Sequence, residues 1–227
     1  MKKLLLMLSL MFLAVCALAQ IAAKDSTSSQ CRITEHSIFK ECDVTGPERS
    51  GSMSKEDLTV AEFDIGRATL DEVSSQFPGV QKFRLTKQEE SPLGICVKNK
   101  EGAAVVFASG SSGGWDVLDA IYVARASSLE ARGAKCVLAP SLPNDLATQS
   151  GMRLGATVKQ VQRLFPKLVM HDSVFKITLS TSPDKAPWVS DKIKPTKGEG
   201  WVAMSGAVGG FRSGRLRWFI LYGGVSD

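Results

Sequence analysis

The sequence predicts an α+β chain of two tandem modules, each a short helix packed on an antiparallel sheet of roughly four strands. Three observations predict it. A capped helix start occurs at Thr69 and again at Thr157, short β-rich segments follow each, and a glycine-rich element recurs late in both copies.

The first helix start, Ile65-Gly66-Arg67-Ala68-Thr69-Leu70-Asp71-Glu72-Val73-Ser74-Ser75-Gln76-Phe77-Pro78, is matched by Leu154-Gly155-Ala156-Thr157-Val158-Lys159-Gln160-Val161-Gln162-Arg163-Leu164-Phe165-Pro166, with Arg67 as an insertion. Thr69 with Glu72, and Thr157 with Gln160, make a T-x-x-E/Q capping box worth about 1 kcal/mol. Leu70, Val73 and Phe77 fall on one helical face, as do Val158, Val161 and Phe165, and Pro78 and Pro166 end the helices. Helices this short are unstable alone in water, so each needs a sheet to lie on.

Residues 83–86, 94–97, 103–108 and 120–123 read as the strands of the first copy, and 174–179, 201–204 and 216–222 as those of the second. Ser109-Gly110-Ser111-Ser112-Gly113-Gly114-Trp115 matches Ser205-Gly206-Ala207-Val208-Gly209-Gly210-Phe211. This reads as a glycine-rich hairpin connection before the last strand. A phosphate cradle would need a lysine-serine/threonine pair and a following helix. The modules are expected at 59–140 and 151–227, joined by a linker at 141–150 that includes Leu142-Pro143-Asn144-Asp145. Residues 20–58 read as an N-terminal extension, with a mobile loop at 46–54.

Lys2 and Lys3, the apolar run from Leu4 to Ala14, and Ala17-Leu18-Ala19 read as a cleaved signal peptide at residues 1–19, leaving Gln20 first. The run falls short of the roughly 20 apolar residues that cross a bilayer, and no transmembrane span is expected after cleavage. A periplasmic or secreted bacterial protein follows. The second reading is an outer-membrane lipoprotein anchored at Cys16, for which Val15 is a poor match. About 208 residues remain, with Cys31, Cys42, Cys96 and Cys136. An even number of cysteines in an oxidising compartment implies disulfides, with three connectivities open. Cys31–Cys42 and Cys96–Cys136 links would contribute roughly 3 and roughly 4 kcal/mol. A zinc site lacks any C-x-x-C pair.

Charge is uneven. Residues 20–150 hold 14 Lys+Arg against 18 Asp+Glu, net −4, and residues 151–227 hold 12 against 5, net +7. The basic half suits an anionic partner, either an acidic protein face or an anionic envelope component. No nucleic-acid reader motif is present.

The Gly-x-Thr-x-x-x-Val-x-x-x-Phe helix start followed by a strand meander, in tandem, resembles the β-lactamase-inhibitory-protein-like superfamily. That group includes the small outer-membrane assembly lipoproteins of the SmpA/OmlA type. The resemblance implies helices on one face of an antiparallel sheet and a concave surface, formed by paired sheets, for a protein partner. No binding residue carries over, and the 20–58 segment departs from the pattern.

Catalytic machinery is not expected. His36 and His171 lie in different halves, and His171 and Asp172, adjacent on a strand, point to opposite faces. Glu89-Glu90 reads as a charged turn and the cysteines as consumed in disulfides. No catalytic residue, cofactor or metal is assigned. The function expected is that of an exported non-enzymatic binding protein, with an inhibitor as its narrower form. An envelope-structural or outer-membrane assembly factor and a hydrolase are the alternatives. The candidate partner-binding residues are Trp188, on a loop rich in Pro and Lys, with Lys192, Lys194 and Lys197 after it. Arg212 and Arg215 extend the patch.

Overall fold

The fold is given by a computed structural model, which describes residues 31–32, 41–42, 49–86, 91–110, 116–166, 168–193 and 200–226. The expected signal peptide at residues 1–19, His36, Glu89-Glu90 and Trp115 lie outside the described residues. Strands β1 (Cys31–Arg32) and β2 (Glu41–Cys42) form a separate antiparallel pair with Cys31 opposite Cys42. A bond between those two side chains lies outside what is described. β3 (Arg49–Ser50), the hairpin of β4 (Thr59–Val60) and β5 (Phe63–Asp64), and helix α1 (Leu70–Gln76) follow. Next come β6 (Phe83–Arg84), β7 (Leu93–Lys98), β8 (Ala103–Ser109), β9 (Leu118–Arg125), helix α2 (Ala126–Glu130) and β10 (Cys136–Leu138). The C-terminal half holds helix α3 (Val158–Leu164), β11 (Val169–His171), β12 (Val174–Thr181), β13 (Val202–Arg212) and β14 (Arg215–Ser226).

The expected pair of four-stranded sheets does not form. A ten-stranded mixed sheet runs β10-β7-β8-β9-β14-β13-β12-β11, with β6 beside β7 and β3 beside β12. β10 on β7 and β3 on β12 are parallel. The chain is therefore mostly β, not α+β with a small sheet per module. The seam is β9 against β14, Ala120–Ala124 facing Trp218–Tyr222. In two separate sheets each last strand would present a row of unpaired backbone amides. Pairing the two strands removes both edges at once.

The halves nevertheless repeat. α1 and α3 are each seven residues long, and each carries its complete capping box. Leu118 N–H donates to Ala68 O at 2.7 Å and Leu216 N–H to Ala156 O at 2.8 Å. Isolated bridges join Thr69 to Val117 and Thr157 to Arg215. Leu118 is thus the counterpart of Leu216. At the seam Tyr122 faces Ile220, with Ala120–Tyr222 and Ala124–Trp218 placed evenly on either side. A pseudo-twofold axis passes through that central pair. The β-bulges match as well, with Asp119 the extra residue in β9 and Arg217 the extra residue in β14.

One face of the sheet carries α1 and α3. Leu70, Val73 and Phe77 of the first helix and Val161 and Phe165 of the second are buried there with Phe107, Phe175 and Phe219. Two short helices cover little of so wide a sheet, and other segments complete the layer. Residues 141–150, expected as a linker, bury Leu142 and Leu146, and Asn99 Nδ2 donates to the Pro143 and Asn144 carbonyls at 2.7 and 2.8 Å. The stretch read as a mobile loop ends in buried Met53, whose N–H donates to Ser205 Oγ at 3.0 Å. Apolar side chains in both segments overrode their loop-like composition.

Ser205–Phe211 is the middle of β13, not a hairpin connection. The connection is Ser213-Gly214, both in the left-handed region at φ 54° and 70°. Its glycines make room for aromatic rings, since a Cβ at Gly206 would collide with Tyr222, one at Gly209 with Phe175 and one at Gly210 with Trp218.

Candidate functional site

The opposite face of the sheet is built from the alternate residues of the same strands. Over β7–β9 it is sealed. Ala126 and Leu129 of α2, with Ala134, pack on Cys96, Ala104, Val106, Tyr122 and Ala124, each at most 1% exposed. The Cys96–Cys136 disulfide joins β7 to β10 at a shared register position, and a Lys98–Glu130 ion pair of 2.6 Å ties α2 to β7. Arg132 Nη1 donates to the Tyr122 hydroxyl at 3.3 Å, and burial pushes that phenol's pKa up.

Over β12–β14 the same face is open. Among the described residues, the sealed layer takes from the C-terminal half only Trp218, Ile220 and half-buried Val208. Register and alternation place Lys176, Thr178, Val202, Met204, Val208 and Tyr222 together on this surface. Val202 and Met204 are each 36% exposed, and the other four are half-buried. Tyr222 lies flat across Gly206. Its hydroxyl donates to the Ile177 carbonyl at 3.2 Å and sits 2.7 Å from Thr178 Oγ1. The ring is a fixed platform, because hydrogen bonds hold one end and strand backbone the other.

Three cations gather at one end of β13–β14. Arg212 faces Arg215 across the hairpin, Arg217 projects from the bulge, and all three are exposed. Arg215 Nη1 donates to Gly155 O at 3.2 Å. Lys176 stands on the central rung beside Val208. Among the described residues no carboxylate lies within salt-bridge distance of Lys176, Arg212, Arg215 or Arg217.

Among the described residues, the expected site residues do not form one exposed patch. Trp188, expected as an exposed anchor, is 1% exposed, and its Nε1–H donates to Ser52 Oγ at 3.0 Å. Its indole is seated against Gly66 and Gly223, two residues without side chains, in a slot on the helix-bearing face. Lys192 is exposed but committed, donating to Arg67 O at 3.0 Å and lying 3.3 Å from Glu72. That contact and the α1 cap, whose Thr69 N–H is the larger cause, hold Glu72 below the ordinary carboxylate value. Lys194 and Lys197 lie outside the described residues. Arg212 and Arg215 are exposed, yet Arg215 opens β14 and Gly223 near Trp188 lies eight positions on, about 26 Å along a strand. The Trp188 loop and the arginines are therefore separate features.

The open face went unread in the sequence. Its signal was the alternation Val202, Met204, Gly206, Val208, which leaves small or apolar residues where a solvated face would carry charge. Among the described residues no group of three or more His, Cys, Asp or Glu could hold a metal ion, and no helix is long and apolar enough to cross a membrane. Compared with protein-family models, curated proteins and solved structures, the chain gives no match.

Proposed function

We propose that the chain is an exported, non-enzymatic binding protein that holds a macromolecular partner on the open C-terminal half of its sheet. An inhibitor is the narrower form of this reading. One observation carries it. A single sheet face is sealed over β7–β9 and, among the described residues, uncovered over β12–β14, where a fixed tyrosine, two exposed apolar side chains and a lysine with no carboxylate partner among those residues share one surface. An apolar centre flanked at one end by cations suits a protein partner with an acidic edge. The Cys96–Cys136 bond supports an oxidising compartment, periplasmic or extracellular. Kinship with the β-lactamase-inhibitory-protein-like superfamily belongs to the same proposal, and the matched caps and pseudo-twofold support it.

The test is paired capture from native envelope and medium, using the chain and its Met204→Glu/Val208→Glu variant, followed by reconstitution with the purified partner. A protein retained by the parent and lost with the variant is expected. Equal recovery of every protein by both would remove this face from the reading.

A further inference from the structure

The internal repeat shows what a cover for the open face looks like. By the pseudo-twofold, Lys176, Gly206, Val208, Ile220 and Tyr222 correspond to Cys96, Ala104, Val106, Tyr122 and Ala124. The second set is buried beneath one helical turn, α2, whose Ala126 and Leu129 point inward and whose Glu130 reaches Lys98. The first set is apolar apart from Lys176 and the Tyr222 hydroxyl, and has no such turn upon it among the described residues. The two floors differ in height, since the Tyr222 ring fills the space over Gly206 that Ala104 and Ala124 leave on the other side.

From this correspondence we infer that the open half-face receives a helical segment of the partner protein, small and apolar on its inner stripe and acidic at its edge. The segment does for β12–β14 what α2 does for β7–β9. Its small residues lie on the Tyr222 ring and on Val208, where a large side chain would be held off by the raised floor. Its carboxylate meets Lys176, a cation one rung from the counterpart of Lys98, as Glu130 meets Lys98. The three arginines at the hairpin end give the long-range attraction that orients an acidic segment on approach. Docking an amphipathic helix into an apolar groove is a common mode of recognition, here with a sheet as the floor. The inference rests on the reading of this chain as a binding protein.

The experiment uses the full disulfide-bonded chain and two stapled helical peptides that keep the spacing of the α2 stripe but carry alanine at both of its positions, one edged with Glu and one with Lys. The acidic peptide is expected to bind roughly tenfold tighter than the basic one, and Lys176→Glu to reverse that order. Amide shifts should concentrate in 176–180, 204–208 and 220–224. Lys176 is only half-buried and has no ion-pair partner among the described residues, so the variant should keep the parent's melting temperature, and Met204→Lys on the same face gives an independent loss of binding.

Equal affinity for both peptides, no binding, or shifts confined elsewhere would overturn the helical occupant. So would a dimer dissolved by Met204→Lys, or binding to phosphatidylglycerol vesicles that depends on Lys176. If the peptides fail while Met204→Glu/Val208→Glu still abolishes capture of a native protein, the helix is wrong and the binding role stands. If both fail, both readings fall.

Discussion

Replacing Trp188 by alanine should unfold the protein more readily and leave the open face as it is. A buried indole removes about 200 Å² of surface from water, worth about 5 kcal/mol at about 25 cal/mol/Å². Alanine keeps the small share due to Cβ, and the lost Nε1–H···Oγ bond to Ser52 adds about 1 kcal/mol. The void has little means of collapsing, because Gly66 and Gly223 line it and neither has a side chain to lean in. A loss near the upper end of the usual large-to-small range follows, about 5 kcal/mol. Trp188→Phe, which keeps a ring and loses the donor, should fall at about 1–2 kcal/mol. Urea unfolding followed by far-ultraviolet circular dichroism reads both, with the slope unchanged if the denatured state is the same. A Trp188→Ala variant within about 1 kcal/mol of the parent, yet unable to retain a partner, would refute the reasoning and return this tryptophan to the surface.

Gly206→Ala should destabilise by about 2–3 kcal/mol in the same assay, because its methyl meets both the Tyr222 ring and the Ile177 carbonyl, and backbone cannot swing aside. Removing the disulfide with Cys96→Ser/Cys136→Ser frees a loop of 40 residues and should lower stability by about 4 kcal/mol, while reducing agent should leave that double variant unmoved. Glu72 is held below its ordinary value of 4.5, so on acidification the unfolded chain takes the proton first. Its contribution is complete above that value and fades as pH falls through the folded pKa. Glu72→Gln keeps the capping box, as Gln160 does in the other half, and should show a shallower loss of stability than the parent between pH 5 and 3 in urea titrations, pH values spanning the window about this carboxylate.

Local chemistry was legible in the sequence where side chain and backbone interact within a few residues. Both capping boxes form as Thr69/Glu72 and Thr157/Gln160 require, and the strands expected at 94–97, 103–108, 120–123, 174–179 and 216–222 fall within β7, β8, β9, β12 and β14, whereas 201–204 covers only the start of β13. Cys96 and Cys136 pair because a parallel strand brings them into register. What the sequence could not convey was long-range. Nothing in Ala120–Ala124 or Trp218–Tyr222 says that these strands meet each other, since an apolar β segment suits an edge or a centre equally. Trp188 was misread for a related reason. Its neighbours Pro183, Asp184, Lys185 and Pro187 describe a loop, but a loop can be pinned inward when distant glycines open a slot for its one large ring. Residues 141–150 and 49–54 were misjudged likewise, composition being a property of the segment and burial a property of what lies across from it.

The seam between β9 and β14 has a consequence for how such a chain arises. Antiparallel pairing about a twofold is isologous, so either strand offers its repeat the same edge that it receives. One half on its own would carry a self-complementary border, able to join a second copy in an identical register and prone to recruit others. Carrying both halves on one chain turns that encounter into an intramolecular closure at millimolar-range effective concentration. The covalent link also lets the partners diverge: one last strand is roofed along its length by the helix that follows it, while its twin shares that roof only at Trp218 and Ile220 and, among the described residues, leaves Tyr222 without one.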